Sequence, residues 1–318
     1  MLKLHKTLTA ALTALCFTAA PALAGGEGWT HDYEAAKTQA SDEGKDMLLD
    51  FTGSDWCGWC IKLVDEVFSK DEFKAYADKN LVLVEIDFPR DKSKLTEETI
   101  AQNNELKDAF GIRGYPTIIL ADSQGRPYAK TGYQRGGPEN YVTHLTELKK
   151  VRAERDEHFA AAEKTEGIEK AKHLFAALQA VGDDLALQHY KETVEQAIAL
   201  DAGDEAGIAK HYRELELAKG QREEMMAMMR SAGRDAEALI TKIDEFLKKE
   251  DLVTPLRQEI TAIKSQVQLN GLNDKETAKA TLIEAIEIDP DSELAEQLKS
   301  ALKRIFGEPA DDADAATE

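Results

Sequence analysis

Between residues 25 and 150 the hydrophobic pattern switches repeatedly between a helical and a two-residue period. Residues 32–44 have helical spacing, and residues 47–51 form a short apolar run of the kind a buried strand needs. Ile61, Val64 and Phe68 fall on one face of a helix predicted over residues 57–73. Residues 81–88 read as a strand with apolar side chains on both faces, and residues 95–110 as a polar stretch rich in helix. Two further strands, 117–121 and 127–132, are separated by the turn Asp122-Ser123-Gln124-Gly125. A last helix opens at Pro138, a residue suited to the first helical position, and carries Tyr141, Leu145 and Leu148 on one face. Strands alternating with helices predict an α/β domain over residues 25–150.

Beyond residue 150 the two-residue period disappears. Ala, Glu, Leu and Lys dominate, Pro occurs before the tail only at Pro255 and Pro290, and short turns such as Gly182-Asp183-Asp184 and Gly271-Leu272-Asn273-Asp274 separate helical stretches. An all-helical domain is expected over residues 151–307. The segment "AIALDAGDEAG" from Ala197 is echoed by "AIEIDPDSELA" from Ala285. The second copy resembles the junction between tetratricopeptide-type helical hairpins, and the resemblance implies a short solenoid. The tail "EPADDADAATE", residues 308–318, is acidic, lacks large apolar residues and is expected to be disordered.

The first 24 residues change the picture. Lys3, His5 and Lys6 precede an apolar run from Leu8 to Ala20, and Ala22-Leu23-Ala24 offers a small-x-small cleavage site. This is the pattern of a secretory signal peptide, and it predicts a periplasmic or secreted protein. Lipidation at Cys16 is disfavoured by Leu15, which stands where the processing enzyme needs a small residue. Removing this segment takes away Lys3 and Lys6, so the formal charge moves from −20 to −22. Such an acidic chain is not expected to bind nucleic acid or an anionic membrane. Cys16 is removed as well, leaving Cys57 and Cys60 as the mature cysteines. One close-spaced pair is no disulfide framework for a chain of this length, so stability must come from packed cores.

The pair lies in "GSDWCGWCIKL" and admits three readings: a working dithiol, half of a metal site, or a structural bridge. Structural zinc takes four ligands. The two cysteines supply two, and His31, His144, His158, His173, His189 and His211 are scattered without paired ligand spacing, so no metal is expected. Met225, Met226, Met228 and Met229 in "EEMMAMM" suggest either a soft-metal site or helical core packing, and packing is the expected use.

Several motifs in order resemble the thioredoxin superfamily, in particular its exported bacterial members. "MLLDFTGSDWCGWCIKL" is similar to that family's strand, loop and active-site helix, "LVLVEIDF" to its next strand, and "FGIRGYPTIIL" to the segment bearing its cis-proline. The resemblance covers residues 28–150. It implies a thioredoxin-like fold and a thiol–disulfide oxidoreductase in which Cys57, at the exposed start of a helix, is the nucleophile and Cys60, more buried, resolves the mixed disulfide. A cysteine at a helix N-terminus faces unpaired N–H groups and the positive end of the dipole, which together favour thiolate.

The same resemblance implies that Trp56 packs beside the pair, that Tyr115 and cis Pro116 shape a groove for substrate peptide, and that Asp50 moves protons for the inner cysteine. Asp50 lies seven residues before Cys57, one more than in thioredoxin, which points to a loop insertion at Gly53 or Ser54. The lysine that accompanies this acid in thioredoxin is expected to be replaced by an apolar residue near Leu83. Trp59 stands where a proline is frequent and tunes the potential. No bound cofactor is implied, since the electrons reside in the cysteines. The partners implied are protein thiols or disulfides and a redox partner that recharges the pair. The alternative is a binding protein in which the helical half recruits a protein partner and the cysteines form an inert or redox-controlled bridge.

Overall fold

The short apolar run expected at 47–51 becomes β2 (Asp46–Thr52), with β3 (Leu81–Asp87) parallel beside it in the register Leu48 to Leu83 and Asp50 to Glu85. In this computed structural model, which describes residues 28–233 and 235–307, every residue of both strands is buried. β1 (Trp29–Thr30) adds to β3 in parallel, and β4 (Thr117–Ala121) and β5 (Pro127–Thr131) continue antiparallel on the other side of β2, giving the order β1-β3-β2-β4-β5. Central strands covered on both sides need apolar residues at nearly every position, which is why periodicity alone could not say which face points where.

The two faces are covered differently. Met47, Leu49, Phe51, Val82, Val84 and Ile86 join Ala36 and Ala40 of α1 (Tyr33–Glu43) and Leu106 of α4 (Glu97–Ala109) in one apolar cluster. Asp32 caps α1 by accepting from Ala35 N at 2.9 Å, and Thr96 caps α4 by accepting from Thr99 N at 3.1 Å. The opposite face meets an aromatic cluster. Phe68 packs on Trp29 at 5.1 Å between ring centroids, on Phe73 of α3 (Asp71–Asn80) at 4.7 Å and on Tyr141 of α5 (Gly137–Ala162) at 5.8 Å.

The single helix expected over 57–73 is three pieces. α2 (Gly58–Leu63) widens into a π-helical turn over Val64–Phe68 and ends before Lys70, whose backbone is extended. A π turn inserts an extra residue and rotates the buried face. Phe68 is buried as expected, whereas Ile61 is 42% exposed. The stretch after β3 makes a 3₁₀ turn at Lys92–Lys94 and then α4.

Residue 150, where a domain division was expected, lies inside α5. The compact unit runs on to Leu200 and takes in α6 (Gly167–Val181), α7 (Asp183–His189) and α8 (Lys191–Leu200). Arg155, on α5 and fully buried, supplies a physical reason. It donates to Asp122 Oδ2 and to Tyr190 Oη, both at 2.8 Å, and Tyr190 Oη donates to Pro127 O at 2.6 Å. A buried guanidinium is tolerated only when paired in this way, so sheet and following helices are joined through it.

Residues from Asp201 form a second compact unit of α9 (Ile208–Ala232), α10 (Ala236–Leu247), α11 (Thr254–Gly271), α12 (Lys275–Ile288) and α13 (Glu293–Phe306). Met225 is buried with Ile243, Phe246, Leu256 and Ile260, and Met228 and Met229 pack against that cluster, whereas Met226 is exposed. The α12–α13 turn carries the second copy of the echoed segment, with Ser292 capping α13. The chain is therefore an α/β domain followed by a mostly helical region. The expected signal peptide (1–24) and acidic tail (308–318) lie outside the described residues. No helix among the described residues is long and apolar enough to cross a membrane.

Candidate active site

The loop that leaves β2 is fastened to the end of β3 before it reaches the cysteines. Ser54 donates to Asp87 through its N–H at 2.9 Å and its hydroxyl at 2.6 Å. Asp55 accepts from Arg90 N at 2.9 Å and Asp91 N at 3.1 Å, and these two backbone bonds hold its carboxyl below the usual range. A side chain on Gly53 would meet the Trp56 ring at 2.6 Å, so only glycine lets the indole fold back over the loop. The expected insertion at Gly53 or Ser54 thus coincides with the two residues that fix Trp56 and tie the loop to Asp87.

So held, Cys57 caps α2, and its Sγ accepts from Cys60 N at 3.2 Å. The N–H that would stabilise a thiolate already points at this sulfur. Cys57 and Cys60 are disulfide-bonded, with Cα atoms 5.2 Å apart. Their order of exposure is as expected, but Cys57 is less open than anticipated at 6%, against 1% for Cys60.

An aromatic rim surrounds the pair. Trp56 donates from Nε1 to Phe88 O at 2.8 Å and meets Tyr115 edge-on at 5.7 Å between centroids; Phe88 in turn packs on Tyr115 at 5.4 Å. The Tyr115–Pro116 peptide bond is cis. On the other flank Trp59 packs on Tyr133 at 5.2 Å, Lys62 Nζ lies 5.2 Å and 5.3 Å from their rings, and Tyr133 donates to Glu66. Trp59 is 52% exposed and Trp56 38%, so with Ile61 they leave a water-facing apolar patch beside a buried disulfide.

Below the rim the sheet turns acidic. Asp50 is 3% exposed, its Oδ1 has no hydrogen-bond partner, and burial, then the charges of Glu85 and Asp87, push its pKa well above the usual carboxylate value. Leu83, near which an apolar residue was expected in place of the lysine, pairs with Leu48, and the register partner of Asp50 is the acid Glu85. His31 Nδ1 lies 3.1 Å from Glu85 O and 3.6 Å from Glu85 Oε2. A carbonyl only accepts, so Nδ1 carries the hydrogen.

Trp56 and Trp59 flank the cysteines along the chain, Tyr115, followed by cis Pro116, packs on Trp56, and Asp50 lies in the buried sheet beside Glu85. Sequence reasoning missed Phe88, Tyr133, Glu85 and His31. Glu85 had a signal: with Asp87 it puts a charge into a buried strand, in phase with Leu81 and Leu83. Tyr133 had none, because it meets Trp59 only through the tertiary fold.

A family model described as a thioredoxin-like domain matches residues 33–149. "Disulfide bond reductase DsbH" of Chlamydia pneumoniae is 36% identical over 132 residues, which cover 42% of this chain and 78% of that protein. The chain belongs to the thioredoxin-like family. "Thioredoxin-related protein DsbJ" of the same organism is 31% identical over 104 residues, 33% of this chain and 30% of that protein. A solved structure, "DsbH Oxidoreductase", is 32% identical, covers 45% of this chain and 95% of that chain, and gives a TM-score of 0.37. Family membership and the bonded pair make this thioredoxin-like protein a thiol–disulfide oxidoreductase.

Proposed function

We propose that the protein is exported and reduces disulfides in protein substrates, with Cys57 as nucleophile and Cys60 as the resolving thiol. The observation that carries this reading is the disulfide at the N-terminus of α2 beneath an exposed aromatic rim, an arrangement that an inert bridge has no need of. The leader-like first 24 residues support export to the periplasm or beyond. The name of the first relative favours reduction over oxidation.

In the forward direction the Cys57 thiolate attacks one substrate sulfur, forming Cys57–S–S–substrate and expelling the other substrate sulfur as thiolate. The Cys60 thiolate then attacks Cys57 Sγ, the second substrate sulfur leaves, and the pair ends as the disulfide. Two electrons have passed to the substrate, and a redox partner protein must return them. Trp56, Trp59, Tyr115 and Pro116 form the surface that receives the substrate peptide, and the buried acids of the sheet lie behind the pair. The helical region from Asp201 serves to engage a protein partner.

Equilibration of the full chain against glutathione or dithiothreitol, followed by tryptophan fluorescence, tests the direction. A potential near about −270 mV supports a reductant, and one near −180 to −120 mV an oxidant or isomerase. If no reversible transition appears, and Cys57→Ser changes nothing in a disulfide-reduction assay, the proposal is wrong and the binding-protein reading takes its place.

A further inference from the structure

Beside α2 lies a cavity of about 170 Å³ lined by Cys60 and Glu85 together with Thr52, Ser54, Val64 and the exposed Ile61 and Asp65. The inner cysteine and Glu85 thus border one small space, large enough to admit water, which needs about 10–15 Å³. Asp50 does not line it. It sits one strand over, as the Cα partner of Glu85. Glu85 is 2% exposed with its Oε2 3.6 Å from His31 Nδ1, and the imidazole is 20% exposed and reaches water.

We infer that Glu85 is the carboxylate that exchanges a proton with Cys60 across this cavity, that His31 links it to solvent, and that Asp50, one strand over, does not take that proton itself. The inference rests on the reading of Cys57 and Cys60 as a working dithiol. In the resolving step the Cys60 S–H bond breaks and its proton passes to the Glu85 carboxylate through water entering the cavity. The thiolate then forms the bond to Cys57 Sγ, and the substrate sulfur leaves with the electron pair of the broken S–S bond. When the redox partner reduces the pair, Cys60 leaves as thiolate and takes the proton back from Glu85.

The other titratable groups around Glu85 have different places. Asp87 is engaged by Ser54, and Asp65 stands exposed at the cavity rim. Tyr141 of α5 feels the charge of Asp50 and is kept neutral chiefly by burial, and Lys62 is turned to Trp59, Tyr133 and Glu66. Glu85 alone among the buried carboxylates of β2 and β3 borders the space that Cys60 borders.

Stopped-flow mixing of the reduced full chain with Ellman's reagent separates the two steps, since Cys57 releases the first coloured thiolate and Cys60 the second. For Glu85→Gln the first phase keeps its rate. The second slows roughly 10- to 100-fold near neutral pH, the low end of what a positioned general base contributes. This deficit closes as the pH rises and solvent ionises Cys60 directly. Glu85→Asp restores much of the rate with a shifted pH profile, and Asp50→Asn slows the second phase less than Glu85→Gln does.

A second phase that quickens in Glu85→Gln means the carboxylate acts only by repelling the thiolate, and the relay is overturned. So is it if both phases fall together at every pH, or if Asp50→Asn alone slows the second phase. Should Glu85→Gln not fold, an unchanged second-phase pH profile in Glu85→Asp overturns the relay as well. Undiminished disulfide reduction by Cys57→Ser, with Glu85 unsubstituted, is a separate result, because it removes the dithiol reading itself.

Discussion

The two faces of the central sheet are equally buried and chemically opposite. Met47, Leu49 and Phe51 alternate along β2 with Asp46, Leu48, Asp50 and Thr52, and Val82, Val84 and Ile86 alternate along β3 with Leu81, Leu83, Glu85 and Asp87. The first set builds a hydrocarbon core with α1 and α4. The second carries Asp46 at one end, is apolar at Leu48 and Leu83, and turns acidic again toward the end that carries Cys57 and Cys60. Burial measures how dry a position is, and the function depends on what is kept dry. On the apolar face dryness gives stability. On the acidic face it costs stability and holds protons near a redox pair.

Breaking the apolar face has the largest expected effect on stability. Phe51→Ala removes a fully buried ring packed on Phe110 at 5.8 Å and should cost about 3–5 kcal/mol. Urea denaturation would show this loss as nearly constant with pH, and a loss confined to one end of the pH range would contradict the division between the faces.

The acidic face should answer in the opposite way. Asp50 has its folded-state pKa raised, so its neutral form is the one folding favours. That contribution is complete below its unfolded pKa, near 3.9, and is lost as pH rises through the raised folded value. Asp50→Asn takes no charge and should become progressively more stable than the parent protein from mildly acidic to alkaline pH. Parallel denaturation midpoints for the two proteins across that range would show that Asp50 does not titrate as described.

Smaller effects sharpen the picture. Tyr128 donates to Asp46 Oδ2 at 3.0 Å, which satisfies the acid at the end of the same face farthest from the cysteines. Tyr128→Phe should cost about 1–2 kcal/mol by leaving Asp46 to Arg152 and Lys149. A thermal melt resolves that difference, and no change would mean the two cations satisfy Asp46 alone. Trp59→Ala should move stability by no more than about 0.5 kcal/mol, because the ring is half exposed. It should still slow reduction of a protein disulfide more than that of a small aromatic one, and equal slowing of both would remove Trp59 from the peptide surface.

Much of this organisation was legible in the chain. The order of strands and helices from residue 32 to residue 148, the helix opening at Cys57 and the loss of strand pattern after residue 150 follow from local periodicity and turn residues. The end of the first compact unit was not legible. Arg155 looks like any helical arginine until Asp122 and Tyr190, distant in sequence, close around it. The break between α2 and α3 was hidden because a π turn keeps an apolar spacing while rotating it. Glu85 was missed as the neighbour of Asp50 because strand register is set by pairing across the sheet, which no pattern within one strand reveals.

By itself the sequence determined what depends on neighbours along the chain: which segments are strands, which are helices, and that two cysteines one helical turn apart can bond. Tertiary structure alone decided which side chains share a space. The meeting of Trp59 with Tyr133, the register of Asp50 with Glu85, and the cavity bordered by Cys60 and Glu85 all join residues far apart in the chain. Such contacts are fixed by how whole elements pack, and no local pattern encodes the distance between two elements.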